Sequence, residues 1–245
     1  MLARATLESL LRDHKLDRTL AVFPTGLRPA PESETVATGH ARADQCLEGG
    51  WPRGHLSVLC GPLSAGRTTL IVGTLAAVTR AGELAALIDA ADRFDPVPAA
   101  ARGVVLPRVL WVRGTVADRR ARAHVPGGPS GHRRSDRALT QAVRAFDLVL
   151  RAGGFAAAVL DLSGVPARAL GALPFTTWLR LGRSVEGSRT AAVIVADEPV
   201  ARSAGGVSLE LQPAPARWRG QAAAARLFDA PALAPRMRGF RKTAR

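Results

Sequence analysis

The feature that most constrains this chain is a five-residue apolar run, Leu56 to Cys60, that passes without a break into Gly61-Pro62-Leu63-Ser64-Ala65-Gly66-Arg67-Thr68-Thr69 and then into a helical pattern through Arg80. A buried strand, a glycine-bearing turn and a helix in that order form the layout that cradles phosphate. The glycines let backbone N–H groups come close, and the helix N-terminus stabilises negative charge. The usual pattern places Lys where Arg67 stands. A guanidinium keeps the charge but alters reach and geometry, so the exchange is not conservative. Thr68 still offers the hydroxyl that such loops use to hold magnesium.

Apolar strands and helical stretches alternate after this point. Leu84 to Asp89, Val109 to Val112, Ala156 to Leu162 and Ala191 to Ala196 read as strands, while Ser135 to Ala152 and Leu170 to Arg183 read as helices. Strand-helix repetition at this spacing implies a mostly parallel twisted sheet with helices on both faces. Val207 to Leu211, Arg217 to Trp218, Ala225 to Phe228 and Arg236 to Arg241 look like short strands without helices between them. They are expected to pair antiparallel and extend one edge. The Val125 to Gly131 stretch is compositionally a flexible loop. Ahead of the core, Leu2, Leu7, Leu10 and Leu11 at helical spacing suggest an amphipathic helix with a proline-punctuated connector, an arm over 1–37 suited to docking on a neighbour.

At 47% hydrophobic and 22% charged, the 245 residues describe a globular chain, which excludes a fibre or a wholly disordered segment. No apolar run approaches the roughly 20 residues needed to cross a bilayer, and no secretory signal is visible, so the expected compartment is the cytoplasm. Cys46 and Cys60 are too few for a disulfide framework, and the five histidines show no ligand spacing, so no metal or other cofactor is assigned. Ser64, Ser163 and Ser184 lack a matched histidine and acid.

The net charge of +14 is unevenly placed. Residues 102–144 carry 10 basic and 2 acidic side chains, and 213–245 carry 8 and 1, while the remainder is close to balance. Such a surplus attracts polyanions. Arg113, Arg119, Arg120, Arg122, Arg133, Arg134 and Arg137 flank the glycine-proline loop within a basic segment, 113–137, that can track phosphates without reading bases. The alternative is a solvated insertion. In the tail, Arg236 and Arg238 alternate with Met237 and Gly239, followed by Arg241 and Lys242. This is an edge strand with one basic face, serving either to block unwanted pairing or to dock DNA or a partner. Trp51, Trp111, Trp178 and Trp218 are expected to be packing residues.

Thr38-Gly39, Asp44, Leu47 and Gly49-Gly50-Trp51-Pro52-Arg53-Gly54 ahead of the loop resemble the entry to the RecA-family core. Ile88-Asp89-Ala90-Ala91-Asp92-Arg93-Phe94-Asp95-Pro96 resembles that family's IDAE...DP segment, and Ser135 to Gly164 its helix and second acidic strand, with Asp161 ending the apolar run. The resemblance implies a RecA-like core over 38–245, with Gly61, Gly66, Arg67, Thr68, Thr69 and Asp161 as a degenerate nucleotide-binding set. It also implies that Ala91 stands where the family keeps the glutamate that polarises the attacking water, and alanine cannot orient a nucleophile. Asp92 is the adjacent acid that could substitute. Only Asp197 to Gly206 fills the place of the long second DNA-contacting loop, and two acids lead it. Taken together, a shrunken core with a spoiled loop looks like the ImuA group of SOS-mutagenesis proteins, which overlaps with SulA-like division inhibitors. That likeness implies a non-catalytic accessory role in translesion synthesis. The implied partners are RecA, an ImuB-like Y-family polymerase homologue, an error-prone polymerase complex and, further, DNA. The competing expectations are a divergent DNA-dependent ATPase or recombinase, and a SulA-like inhibitor of cell division.

Overall fold

In the computed structural model, residues 34–114, 129–200, 206–219 and 227–238 are described. The amino-terminal arm, Arg119, Arg120, Arg122, Arg241 and Lys242 lie outside the described residues, as do the side chains of Arg133, Arg134 and Trp218.

Strand β1 (Thr35–Val36) pairs antiparallel with β2 (Trp51–Pro52) around the short helix α1 (Ala41–Cys46). The chain then runs through β3 (Leu56–Cys60), α2 (Arg67–Arg80), β4 (Ala85–Asp89), α3 (Pro96–Ala101), β5 (Val109–Arg113), α4 (Pro129–Ala152) and β6 (Ala157–Asp161). It continues through α5 (Ala167–Gly171), α6 (Phe175–Val185), β7 (Ala191–Ala196), β8 (Ser208–Gln212), β9 (Ala216–Arg219), β10 (Leu227–Pro231) and β11 (Ala234–Met237). Seven strands form one sheet in the order β11-β8-β3-β7-β6-β4-β5. Six are parallel, and β11 closes the edge antiparallel to β8. The α/β class, the mostly parallel sheet and the antiparallel carboxy-terminal edge are as expected.

Strands β3, β4 and β7 are buried at every position, which is why they read as continuous apolar runs rather than alternating ones. Successive side chains still go to opposite faces. Leu59, Leu87, Val159 and Val193 pack with Leu70 and Leu75 of α2 on one face. Val58, Ile88, Leu160 and Ile194 pack with Phe146 of α4 and Leu181 of α6 on the other.

Four expectations are corrected. Val207 to Leu211 was expected to pair antiparallel, yet β8 lies parallel to β3, because the chain crosses back from β7 before entering the sheet. Strands β9 and β10 form a separate two-stranded ribbon instead of lengthening the edge. Helix α4 begins at Pro129, so Pro129 to Gly131 are helical and not loop; proline at a first helical turn gives up no hydrogen bond and is preset in φ. The expected helix from Leu170 to Arg183 is two helices, broken at Leu173-Pro174, since proline disfavours helix in the residue before it.

Candidate functional site

The candidate site lies beyond the carboxyl ends of the parallel strands, where ligands bind in open α/β sheets. Two glycines shape it. Gly66 caps α2 in the left-handed region at φ 96°, and a Cβ there would overlap the Leu233 side chain, which is 2% exposed. Gly61, at φ 152°, passes so close to the Leu211 carbonyl that a side chain would collide with it. The loop is therefore held from behind by residues of β8 and of the β10–β11 connection, far away in sequence. At its front is a cleft of about 280 Å³ whose lining includes Ser64, Thr68, Thr69, Arg93, Asp161 and Ser163. Thr68 is exposed and Thr69 half-buried.

Arg67 lies inside rather than reaching outward. It is 6% exposed, and its Nη1 donates to Asp197 Oδ1 just past the end of β7. The same carboxylate oxygen accepts from the Gly164 N–H at 3.3 Å, so one acid ties the phosphate loop to the turns after β6 and β7. Charge that the loop motif would direct at a ligand is neutralised by the protein itself. The acid was visible in sequence as one of two leading the 197–206 segment; the pairing with Arg67 was not, because it joins residues that only the order β3-β7-β6 brings together.

Asp161 ends β6 in register with Asp89 of β4. Its Oδ1 accepts from the Ser163 N–H at 2.8 Å. Burial pushes its carboxyl above the ordinary value of 3.8, and Asp89 adds to that, while the Ser163 hydrogen bonds and Arg67 oppose it. Asp89 is 1% exposed; its Oδ2 accepts from the Phe94 N–H at 2.7 Å, and its Oδ1 has no partner among the described residues. Ala91 is buried, and Asp92, with φ 51°, does not reach into its place. The Asp92 carboxylate is clasped by Arg113, from Nε at 2.8 Å and Nη2 at 3.0 Å. Arg113 in turn lies over the Trp111 ring at 4.5 Å, and Trp111 meets Phe94 edge-on at 5.2 Å. Asp92 is thereby held as a buried ion-pair partner, while Arg113, 49% exposed, gives its guanidinium to that pair.

The described basic candidates Arg236 and Arg238 do not line this cleft. Arg236 and Arg238 project from the edge strand β11 on the side away from half-buried Met237, with the single basic face expected. Arg236 is exposed, and Arg238 Nε pairs with Glu210 Oε2 at 2.6 Å. Trp51 and Trp178 are packing residues, 0% and 5% exposed, and Trp51 Nε1 donates to Thr74 Oγ1 at 3.1 Å. Sequence reasoning passed over Arg93, whose guanidinium packs against Gly164 at the cleft's lip.

With that geometry in view, the RecA N-terminal domain family matches residues 13–116. The RecA proteins of Synechococcus sp. (strain WH7803) and Prochlorococcus marinus (strain MIT 9211) are each 43% identical over 77 residues. Those residues make up 31% of this chain and 20% and 21% of the two relatives. The chain therefore spans about a fifth of the length of the RecA proteins it matches. Sheet, loop and match together make this a RecA-like protein. Among the described residues, no helix is long and apolar enough to cross a membrane.

Proposed function

We propose that this protein is a non-catalytic RecA-like accessory factor in DNA repair, of the ImuA type. In this reading it acts in the cytoplasm during translesion synthesis through contacts with RecA, an ImuB-like polymerase homologue, an error-prone polymerase and DNA, and it uses no cofactor. The observation that carries the reading is the pairing of Arg67 with Asp197. In a loop built for turnover, a cation stands ready to meet the outer phosphates and an acid orients water. Here the cation is paired with the chain's own Asp197 carboxylate, and the position for the water-orienting glutamate holds Ala91.

The test measures ATP hydrolysis by the purified chain with and without single-stranded DNA, beside capture of RecA. Background-level hydrolysis with RecA retained is expected. Hydrolysis that Arg67→Ala abolishes would establish the divergent ATPase instead, and capture of the tubulin-like division protein in place of RecA would favour a SulA-like inhibitor.

A further inference from the structure

On the sheet face remote from α2, helices α4 and α6 lie side by side, joined where Ser184 Oγ donates to Asp147 Oδ1 at 2.9 Å. Their inner surfaces are packed around Phe146 and Leu181; their outer surfaces have an unusual composition. On α4, exposed Arg137, Arg144 and Arg151 recur every seven residues, so they line one stripe on the order of 10 Å apart. On α6, Arg180 and Arg183 are exposed. Asp147 is the one acid among the described side chains of these two helices, and it is half-buried and already paired with Arg151 at 3.2 Å. Arg144, Arg180 and Arg183 have no carboxylate partner among the described residues.

Apolar groups share this surface. Phe175 is 59% exposed and Leu179, one turn on, 47%; Leu148 lies within the arginine stripe at 36%. A run of like charges repels itself, and an exposed aromatic in contact with water forgoes the stabilisation of burial. Both penalties vanish against one kind of surface. Arginine and aromatic side chains together are also the composition of interface anchors.

We propose that the outer surface of α4 and α6 is a docking face for an acidic amphipathic helix of a partner protein, whose carboxylates meet Arg144, Arg180 and Arg183 while its apolar side chains cover Phe175 and Leu179. Charge complementarity selects this occupant. A second copy of the chain would bring arginines against arginines. A nucleic acid backbone would satisfy the guanidinium groups but offers no apolar surface for Phe175, Leu179 and Leu148. The proposal rests on the reading that the protein works through contacts, and it names the chemistry of one partner.

Fluorescence anisotropy on the full chain tests it with three labelled probes: a helical peptide of about 18 residues with leucine at helical spacing and glutamate elsewhere, polyglutamate of equal length, and an oligonucleotide of matched charge. The amphipathic peptide is expected to bind at least about tenfold more tightly than polyglutamate. Arg144→Glu with Arg180→Glu, and separately Phe175→Ser with Leu179→Ser, are each expected to weaken it about tenfold, with the melting curve unchanged because all four sites are exposed. Equal binding of the two peptides, or indifference to Phe175→Ser with Leu179→Ser, overturns the proposal. So does an oligonucleotide that binds tightest and loses affinity only with the arginine changes. Peptide binding alongside genuine ATP turnover would remove the non-catalytic reading and leave this face standing; absence of both would do the reverse.

Discussion

The ion pairs beside the phosphate loop and the outer surface of α4 and α6 treat arginine differently. Around the strand ends that form the phosphate-loop cleft, Arg67 is matched by Asp197 and Arg113 by Asp92; on the same side of the sheet but at its other end, Arg53 meets Glu83 at 3.1 Å. Across the sheet, on α4 and α6, arginines stand in solvent with a single half-buried acid among the described side chains. Charges paired inside the chain hold its shape, and at the cleft Arg93 remains without a carboxylate partner among the described residues. Charges left open repel one another and cost stability unless something outside completes them. On the proposed non-catalytic reading, the contrast separates a region serving as scaffold from one available for contact.

The largest expected effect falls on the packing beneath the open face. Phe146, 0% exposed, anchors α4 to the sheet, and Phe146→Ala is expected to cost about 4 kcal/mol in urea unfolding. A loss under 1 kcal/mol would mean the outer arginines ride on a loosely held helix. Next comes Gly66→Ala, expected to cost about 2 kcal/mol from backbone strain and collision with Leu233. In a Leu233→Ala background the added cost is expected to fall to about 1 kcal/mol, the strain alone, and a double-mutant cycle measures the difference. Asp197→Ala leaves Arg67 buried without its partner. Because Asp197 is itself 40% exposed, the loss is discounted for screening to about 2 kcal/mol, and replacing both by Met and Leu is expected to recover most of it.

A subtler effect comes from pH. The folded pKa of Asp161 lies above its unfolded value, so between the two the native state binds the extra proton, and stability falls as pH rises through that window. Asp161→Asn is expected to remove that downward slope; a wild-type and variant that fall in parallel would disprove the raised Asp161 carboxyl. Smallest of all, Arg144→Glu is expected to change stability by less than about 0.5 kcal/mol, as befits an exposed side chain.

Much of this was legible in the chain itself wherever the signal was local. Continuous apolar runs marked β3, β4, β6 and β7, since a strand covered on both sides has no polar face to show. The turn with Gly61 and Gly66 was equally plain, because its shape depends on residues next to one another. What stayed hidden were pairings across long separations. Nothing adjacent to Asp197 tells that it meets Arg67, and nothing around Val207 tells that β8 enters beside β3 in parallel. The break at Pro174 was missed for a different reason: helical spacing persists on both sides, and only the restriction a proline places on its predecessor divides it. The first turn of α4, Pro129 to Gly131, is expected as loop because Gly127, Gly128 and Gly131 dominate the local composition, while the apolar spacing that marks the helix from Ser135 begins beyond them.

The contact between Leu233 and Gly66 carries a consequence for how the protein comes into being. While the chain is being made, the turn at the front of α2 leaves the ribosome long before the side chain that braces it. Until that brace arrives, the Leu233 side chain is not there to limit the backbone at Gly66. A nascent fragment halted before Leu233 should therefore show the sheet's central strands protected from hydrogen exchange while the amides around Gly66 still exchange freely.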